Sequence, residues 1–225
     1  MGIMHRSTVR EEAAVRTNAR MTHVTLLTAH PVKDSLCNQL AEAWKRGAGT
    51  SGATVHHFDA TELDFDLVLR GRHVSVKTDE PDLARVRAAV EASAHVTWLF
   101  PTWWVGPPAA MKGLVDRLLL PKWAFLYEGK GLPQGLLAGR SARFVTTMDS
   151  PRPWYWLMHR TAHEGAFVNG TLKYCGFSPV KGTTIYSART LDEAGRAKWM
   201  KRLEREGAED ALRAGVVGER ALTAG

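Results

Sequence analysis

Cysteine is nearly absent from this 225-residue chain. Cys37 and Cys175 are the only two and lie far apart in sequence. That excludes a disulfide-stapled scaffold and fits a reducing, cytoplasmic setting. No run of about 18 apolar residues occurs, so no membrane span is expected. Residues 1–20 carry Arg6, Arg10, Arg16 and Arg20 with no apolar stretch behind them, so they do not read as a secretory signal. A flexible tail is expected there, with Met4 and Met21 as alternative starts to Met1. The common nucleotide fingerprints, GxGxxG and the P-loop, are missing. So are the GxSxG elbow of hydrolases and any CxxC pair for redox chemistry or zinc. There is no internal repeat and no linker, which leaves one domain over 21–213 and a second short tail from 214 to 225.

What the chain does contain is ordinary for a globular protein in bulk, 44% apolar and 24% charged, and unusual in two details. The formal net charge is +7, and eight tryptophans stand against four tyrosines. A basic surface attracts nucleic acid, anionic lipid or phosphorylated small molecules. No basic run is interleaved with aromatics, so specific nucleic-acid binding is not expected. The tryptophans fit either aromatic platforms for a flat ligand or core and interface packing.

Short β-branched or apolar segments at 23–28, 53–58, 96–100, 143–147 and 180–186 read as strands. Between them lie helical patterns. The first runs from 35 to 46 with Ser35 as N-cap and Gly47, Gly49 and Gly52 ending it. Others cover 79–93, 109–120, 156–175 and 190–212, the last charged and amphipathic. Residues 59–79 and 121–138 show no period. Five alternations of strand and helix predict an α/β domain: a parallel sheet with helices on both faces and right-handed crossovers. Ligands of such sheets bind outside the carboxyl ends of the strands, where the winding reverses. Three loops then matter: 29–37, 101–108 and 148–155.

The first loop, AHPVKDSLC, offers His30, Lys33, the Ser35 hydroxyl and the amides of a helix start, all suited to an anion; Ser35 as a plain cap is the other reading. The second, FPTWWVGPP, places Trp103 and Trp104 side by side at a central strand end. They suit a flat aromatic ligand, or else core or dimer packing. His159 and His163 are four apart on an expected helix and so share a face. Without HExxH or a third ligand they do not read as a metal pair. His56 and His57 alternate on a strand and face opposite ways.

The pattern FPTWWVGPPAAMKGLVDRLLLPKWAF resembles the signature of the NAD(P)H:quinone oxidoreductase family, which includes the drug-activity modulator B type. The AHPxxxSLxNxL run, here His30, Ser35, Leu36, Cys37 and Asn38, is similar to that family's first loop. LKYCGFSPV at 172–180 is similar to its late helix-to-strand segment. The resemblance covers about residues 23–205 and implies a flavodoxin-like fold with a five-stranded parallel sheet, non-covalent flavin and a homodimer. It implies that His30, Ser35, Leu36 and Cys37 contact the flavin phosphate region. It implies that Pro101, Thr102, Trp103, Trp104 and Val105 contact the ring, with Thr146, Thr147, Met148 and Asp149 at the pyrimidine edge. The family carries Gly-Gly where this chain has Met148-Asp149. Asp149 then either lowers the potential of the flavin or turns away to cap the following helix. The implied reaction is hydride transfer from NADH or NADPH to flavin, then two-electron reduction of a quinone or similar small-molecule acceptor by a ping-pong route. Tyr155 with His159 or His163 would contact substrate, and Trp154 would stand on the substrate side. FMN is expected, with FAD the alternative, because the chain is short after the fifth strand. Some relatives of the family are ancillary subunits of a potassium-efflux channel. The charged helix 190–212 would be the docking face in that case and a solvated face otherwise.

Overall fold

In the computed structural model the described residues are 22–71, 80–127 and 133–223, with the backbone alone described for 217–223. The expected N-terminal tail lies outside them. The strands are β1 (Thr22–Thr28), β2 (Ala53–Asp59), β3 (His95–Pro101), β4 (Phe125–Leu126), β5 (Gln134–Gly135), β6 (Ser141–Thr147) and β7 (Val180–Ile185). β4 and β5 form a small antiparallel hairpin inside the stretch that shows no period in the sequence. The other five make one all-parallel sheet in the order β2-β1-β3-β6-β7. Strand order reverses between β1 and β3. β3 and β6 are buried along their whole length, as a sheet covered on both faces demands.

Each face has its own apolar core. On one side α1 (Leu36–Thr50) and a long α5 (Glu193–Thr223) bury Leu40, Trp44 and Leu203 against Val24, Leu26 and Val145. On the other, α2 (Pro81–Ala92) and α3 (Ala109–Leu118) join a π-helical segment, Gly165–Lys173. There Val86, Met111, Leu114 and Phe167 pack on Leu27, Trp98, Phe100 and Phe144. Ser35 caps α1 as expected, its hydroxyl accepting the Asn38 amide at 3.2 Å.

Gly47 and Gly49 do not end α1. A Cβ on Gly47 would run into the Glu204 carbonyl, and one on Gly207 into the Trp44 carbonyl. The two glycines let the backbones of α1 and α5 touch, which side chains at the crossing would prevent. The expected single helix 156–175 is also broken. α4 spans Arg152–His159, and Arg160 and Thr161 then take left-handed conformations at φ 48° and 58°. A short turn, Ala162–Glu164, leads into the π-helical segment. The last helix starts at 193 and continues past 212, with Ala214 buried.

α5 carries charge inward as well as outward. Asp210 and Glu206 are buried beside Arg143 of β6. The Arg143 guanidinium bonds both Asp210 oxygens and, at 2.9 Å, Glu206 Oε2. Trp44 Nε1 donates to Asp210 at 3.1 Å, and Thr183 to Glu206 at 3.0 Å. His95 lies 3.4 Å from Asp210 and bonds Ser141 and Thr97. Burial pushes its imidazole down to about 4, against the pull of Asp210.

Candidate functional site

Loops leaving β1, β3 and β6 meet around an open cleft of about 450 Å3 at the carboxyl ends of the strands, beside the switch point. That volume suits a cofactor-sized ligand. His30 lines it from the first loop, Pro101, Thr102, Trp103, Trp104 and Val105 from the second, and Thr147, Met148 and Asp149 from the third. Tyr155 and His159 close it from α4. Ser150, within the third loop, also lines it, as does Ala188, which had no signal in the sequence because it comes from the turn after β7. A second cleft of about 470 Å3 opens on the flank of α1 and β2. Its lining mixes charges of both signs and has no tryptophan, so it does not suit a flat ring.

The tryptophan loop is a two-residue turn. Trp103 and Gly106 exchange backbone hydrogen bonds at 2.8 and 3.0 Å. Trp104 and Val105 between them sit at φ 50° and 65°. Two positive φ values make this a type I′ turn, which favours Asn-Gly; for a β-branched valine the conformation is strained. The strain leaves the Trp104 and Val105 amides without partners among the described residues. Trp103 is 45% exposed, its ring 6.0 Å from that of His30 and edge-on to it, while Trp104 is fully exposed. Thr102 is tied back to β6: its amide donates to the Thr147 carbonyl, and its hydroxyl meets that of Thr146 at 2.7 Å.

Four of the phosphate-loop and threonine residues stand off the cleft. Ser35 is engaged as the α1 cap, Leu36 is half-buried beside it, and Thr146 is buried. Cys37 is buried with its thiol 3.1 Å from the Thr147 hydroxyl. Burial pushes that thiol up to about 12, so it is no thiolate nucleophile despite its place at a helix start. The Leu36 and Cys37 amides have no partner among the described residues. They are the orphan donors of a helix N-terminus, aimed at an anion. Asn38 shapes the approach by donating to the Val32 and Lys33 carbonyls.

α4 separates the two histidines. The left-handed break after His159 leaves that ring exposed on the cleft and turns His163 inward. His163 packs on Phe144 at 5.8 Å, and burial lowers it to about 4. Tyr155 lies between them, its ring 5.0 Å from His159 and 4.9 Å from His163. It is only 3% exposed, and neither its hydroxyl nor His163 Nδ1 has a hydrogen-bond partner. Burial raises the phenol above its usual value, with the His163 backbone opposing. Trp154, expected on the substrate side, does not line the cleft. With Trp156, Leu157 and Met158 it forms an exposed apolar face of α4.

Asp149 does not cap α4. Pro151 occupies the N-cap, without a side-chain bond, and Asp149 Oδ1 instead accepts the Arg189 amide at 3.0 Å. The Met148 amide, expected to face a flavin, is spent on the Ile185 carbonyl at 2.9 Å. Among the described residues no three His, Cys, Asp or Glu side chains cluster as metal ligands.

The chain is similar to a protein of Haemophilus influenzae named uncharacterized NAD(P)H oxidoreductase, 23% identical over 181 residues, 78% of this chain and 89% of that one. It is 26% identical over 132 residues to NAD(P)H dehydrogenase [quinone] 1 of Rattus norvegicus, spanning 55% of this chain and about half, 48%, of that relative. Its fold matches that of an FMN-dependent NADH-azoreductase from Bacillus anthracis solved in complex with FMN. The TM-score there is 0.64 at 14% identity, over 86% of this chain and 99% of the other. The family model described as flavodoxin-like fold matches residues 22–206, and the chain therefore belongs to that flavodoxin-like family.

Proposed function

We propose that this protein is a flavin-dependent NAD(P)H oxidoreductase that reduces a quinone or similar acceptor by two electrons, and that FMN is its cofactor. The observation that carries this reading is the cleft itself. Partner-less amides of Trp104 and Val105 and the wall of Trp103 face one space, and the orphan amides of α1 lie beyond His30. Backbone amides with no protein partner are free to bond a ligand, and these donors beside Trp103 and at the start of α1 suit one with a flat polar ring and an anionic tail. The FMN complex of the structural neighbour supports the cofactor, and the named relatives support NAD(P)H and quinone.

Bound flavin supplies the hydride chemistry; the chain supplies the rest. The Leu36 and Cys37 amides, with His30 on the cleft wall, would hold the phosphate. Trp103 orients the ring. Tyr155 presents an unpaired hydroxyl and holds its proton at Oη, and the exposed His159 is the histidine positioned to meet substrate. His163, neutral by burial, props the Tyr155 ring. Donor and acceptor would occupy the same cleft in turn.

Trp154, Leu157 and Met158 of α4 and Trp104 of the cleft are large apolar side chains exposed to solvent. Such a patch marks an interaction surface, and a second copy of this chain is its proposed partner. Among the described residues no helix is long and apolar enough to cross a membrane.

Titrating flavin-free protein with FMN and FAD tests the reading. Saturable quenching of flavin fluorescence, tighter for FMN and weakened at least tenfold in Trp103→Ala, is expected. Equal tight binding of both flavins contradicts the FMN preference, and no binding of either contradicts the whole.

A further inference from the structure

Among the described residues Asp149 is the sole carboxylate on the cleft lining, and neither lysine nor arginine lines it. Its Oδ1 is held by the Arg189 amide, and no other described residue bonds the carboxylate. The backbone around it is closed as well. Met148 donates to Ile185 and accepts from Ala188 at 3.0 Å, and the Ser187 amide donates to Ser150 at 3.4 Å. The third loop is thus clamped to the turn after β7, and one oxygen of the solvent-exposed carboxylate is held at the rim of the cleft.

We propose that Asp149 sets the reduction potential of the bound flavin, lowering it by a fixed negative charge at the cleft. The inference rests on the flavin reading above. At neutral pH a flavin takes up two electrons and one proton, so its reduced form carries one more negative charge than its oxidised form. A like charge held at the rim of the cleft raises the energy of the reduced form, by an amount that the water it also faces reduces. The protein then holds its electrons less tightly and passes them on more readily. The same contact positions Ala188 in the wall, so a variant must separate charge from anchoring.

The test is the two-electron reduction potential of the flavin-loaded protein, measured by equilibrium titration against a reference dye. Asp149→Asn keeps an acceptor for the Arg189 amide and loses the charge. Asp149→Ala loses both, and Asp149→Glu keeps the charge. The Asn and Ala variants are expected to raise the potential together, by roughly tenfold in the two-electron equilibrium constant, or about 30 mV. The Glu variant is expected to stay near the wild type. A shift in Ala alone means anchoring and overturns the inference. Equal potentials in wild type and Asn, with flavin tightly held by both, overturn it while leaving the flavin reading intact. A wild-type protein that takes up neither FMN nor FAD overturns the reading and this inference with it.

Discussion

Under α5 the buried charges complete one another: Arg143 has Asp210 and Glu206, and Trp44, Thr183 and His95 take up further lone pairs. At the cleft the chain does the reverse. Trp104 and Val105 are bent into left-handed backbone with free amides, and the hydroxyl of Tyr155 is buried with no partner. Both regions sit on the same strands, β3 and β6. One is a closed polar network that fixes a helix on the sheet; the other is an open set of donors that only a bound molecule completes. Unpaired polar groups gathered at the ends of these loops mark the place where a ligand belongs; away from the cleft, the buried Trp98 Nε1 and Arg117 Nε also lack partners among the described residues.

Breaking the closed network has the largest expected effect. Asp210→Ala leaves the buried Arg143 guanidinium with Glu206 as its remaining carboxylate partner and is expected to cost about 3 kcal/mol of stability, read from urea unfolding. Acid attacks the same region. His95 is held at about 4 in the folded protein against an ordinary value near 6.5. Between those two pH values the unfolded chain therefore binds the extra proton and the folded one does not. Stability is full above about 6.5 and falls as pH drops toward 4, by about 3 kcal/mol from this residue. For Asp210, burial opposes ionisation, but the Arg143 bonds and the His95 and Arg143 charges prevail, leaving its carboxyl below the usual range. Its contribution is lost at still lower pH. Unfolding of His95→Asn across pH 4–7 checks the first window, and a flatter curve than wild type is expected.

The open region should respond with the opposite sign. Replacing Trp104-Val105 by Asn-Gly relieves two strained residues and is expected to stabilise the fold by about 1 kcal/mol. A loss of stability there would erase the contrast between the regions. Smallest of all, Trp104→Ala is expected to change stability by under about 0.5 kcal/mol, because the side chain is fully exposed. Its effect should appear instead in the monomer–dimer equilibrium by sedimentation.

What the sequence made legible follows the same division between local and distant causes. The sheet, the Ser35 cap and the position of the tryptophan loop rest on local pattern and were readable. The crossing of Gly47 with Gly207 was not, because Gly47 looks like a helix stop and Gly207 like an ordinary position within a charged helix until the two helices are placed together. Arg160 and Thr161 break α4 without a glycine or proline to announce it, which is why His159 and His163 were expected on one face. Asp149 reads locally as a cap and is claimed instead by Arg189, forty residues away. Charged residues at helical spacing on α5 read as a solvated face, and nothing local distinguishes Glu206 and Asp210 from their exposed neighbours.

The most direct test of the account is the visible spectrum of the purified, FMN-reconstituted protein under anaerobic conditions. The account predicts the absorption bands of oxidised flavin and their stoichiometric bleaching by NADH or NADPH, with colour restored by a quinone. A protein that stays colourless after exposure to FMN and FAD, or a bound flavin that neither nicotinamide reduces, would contradict it.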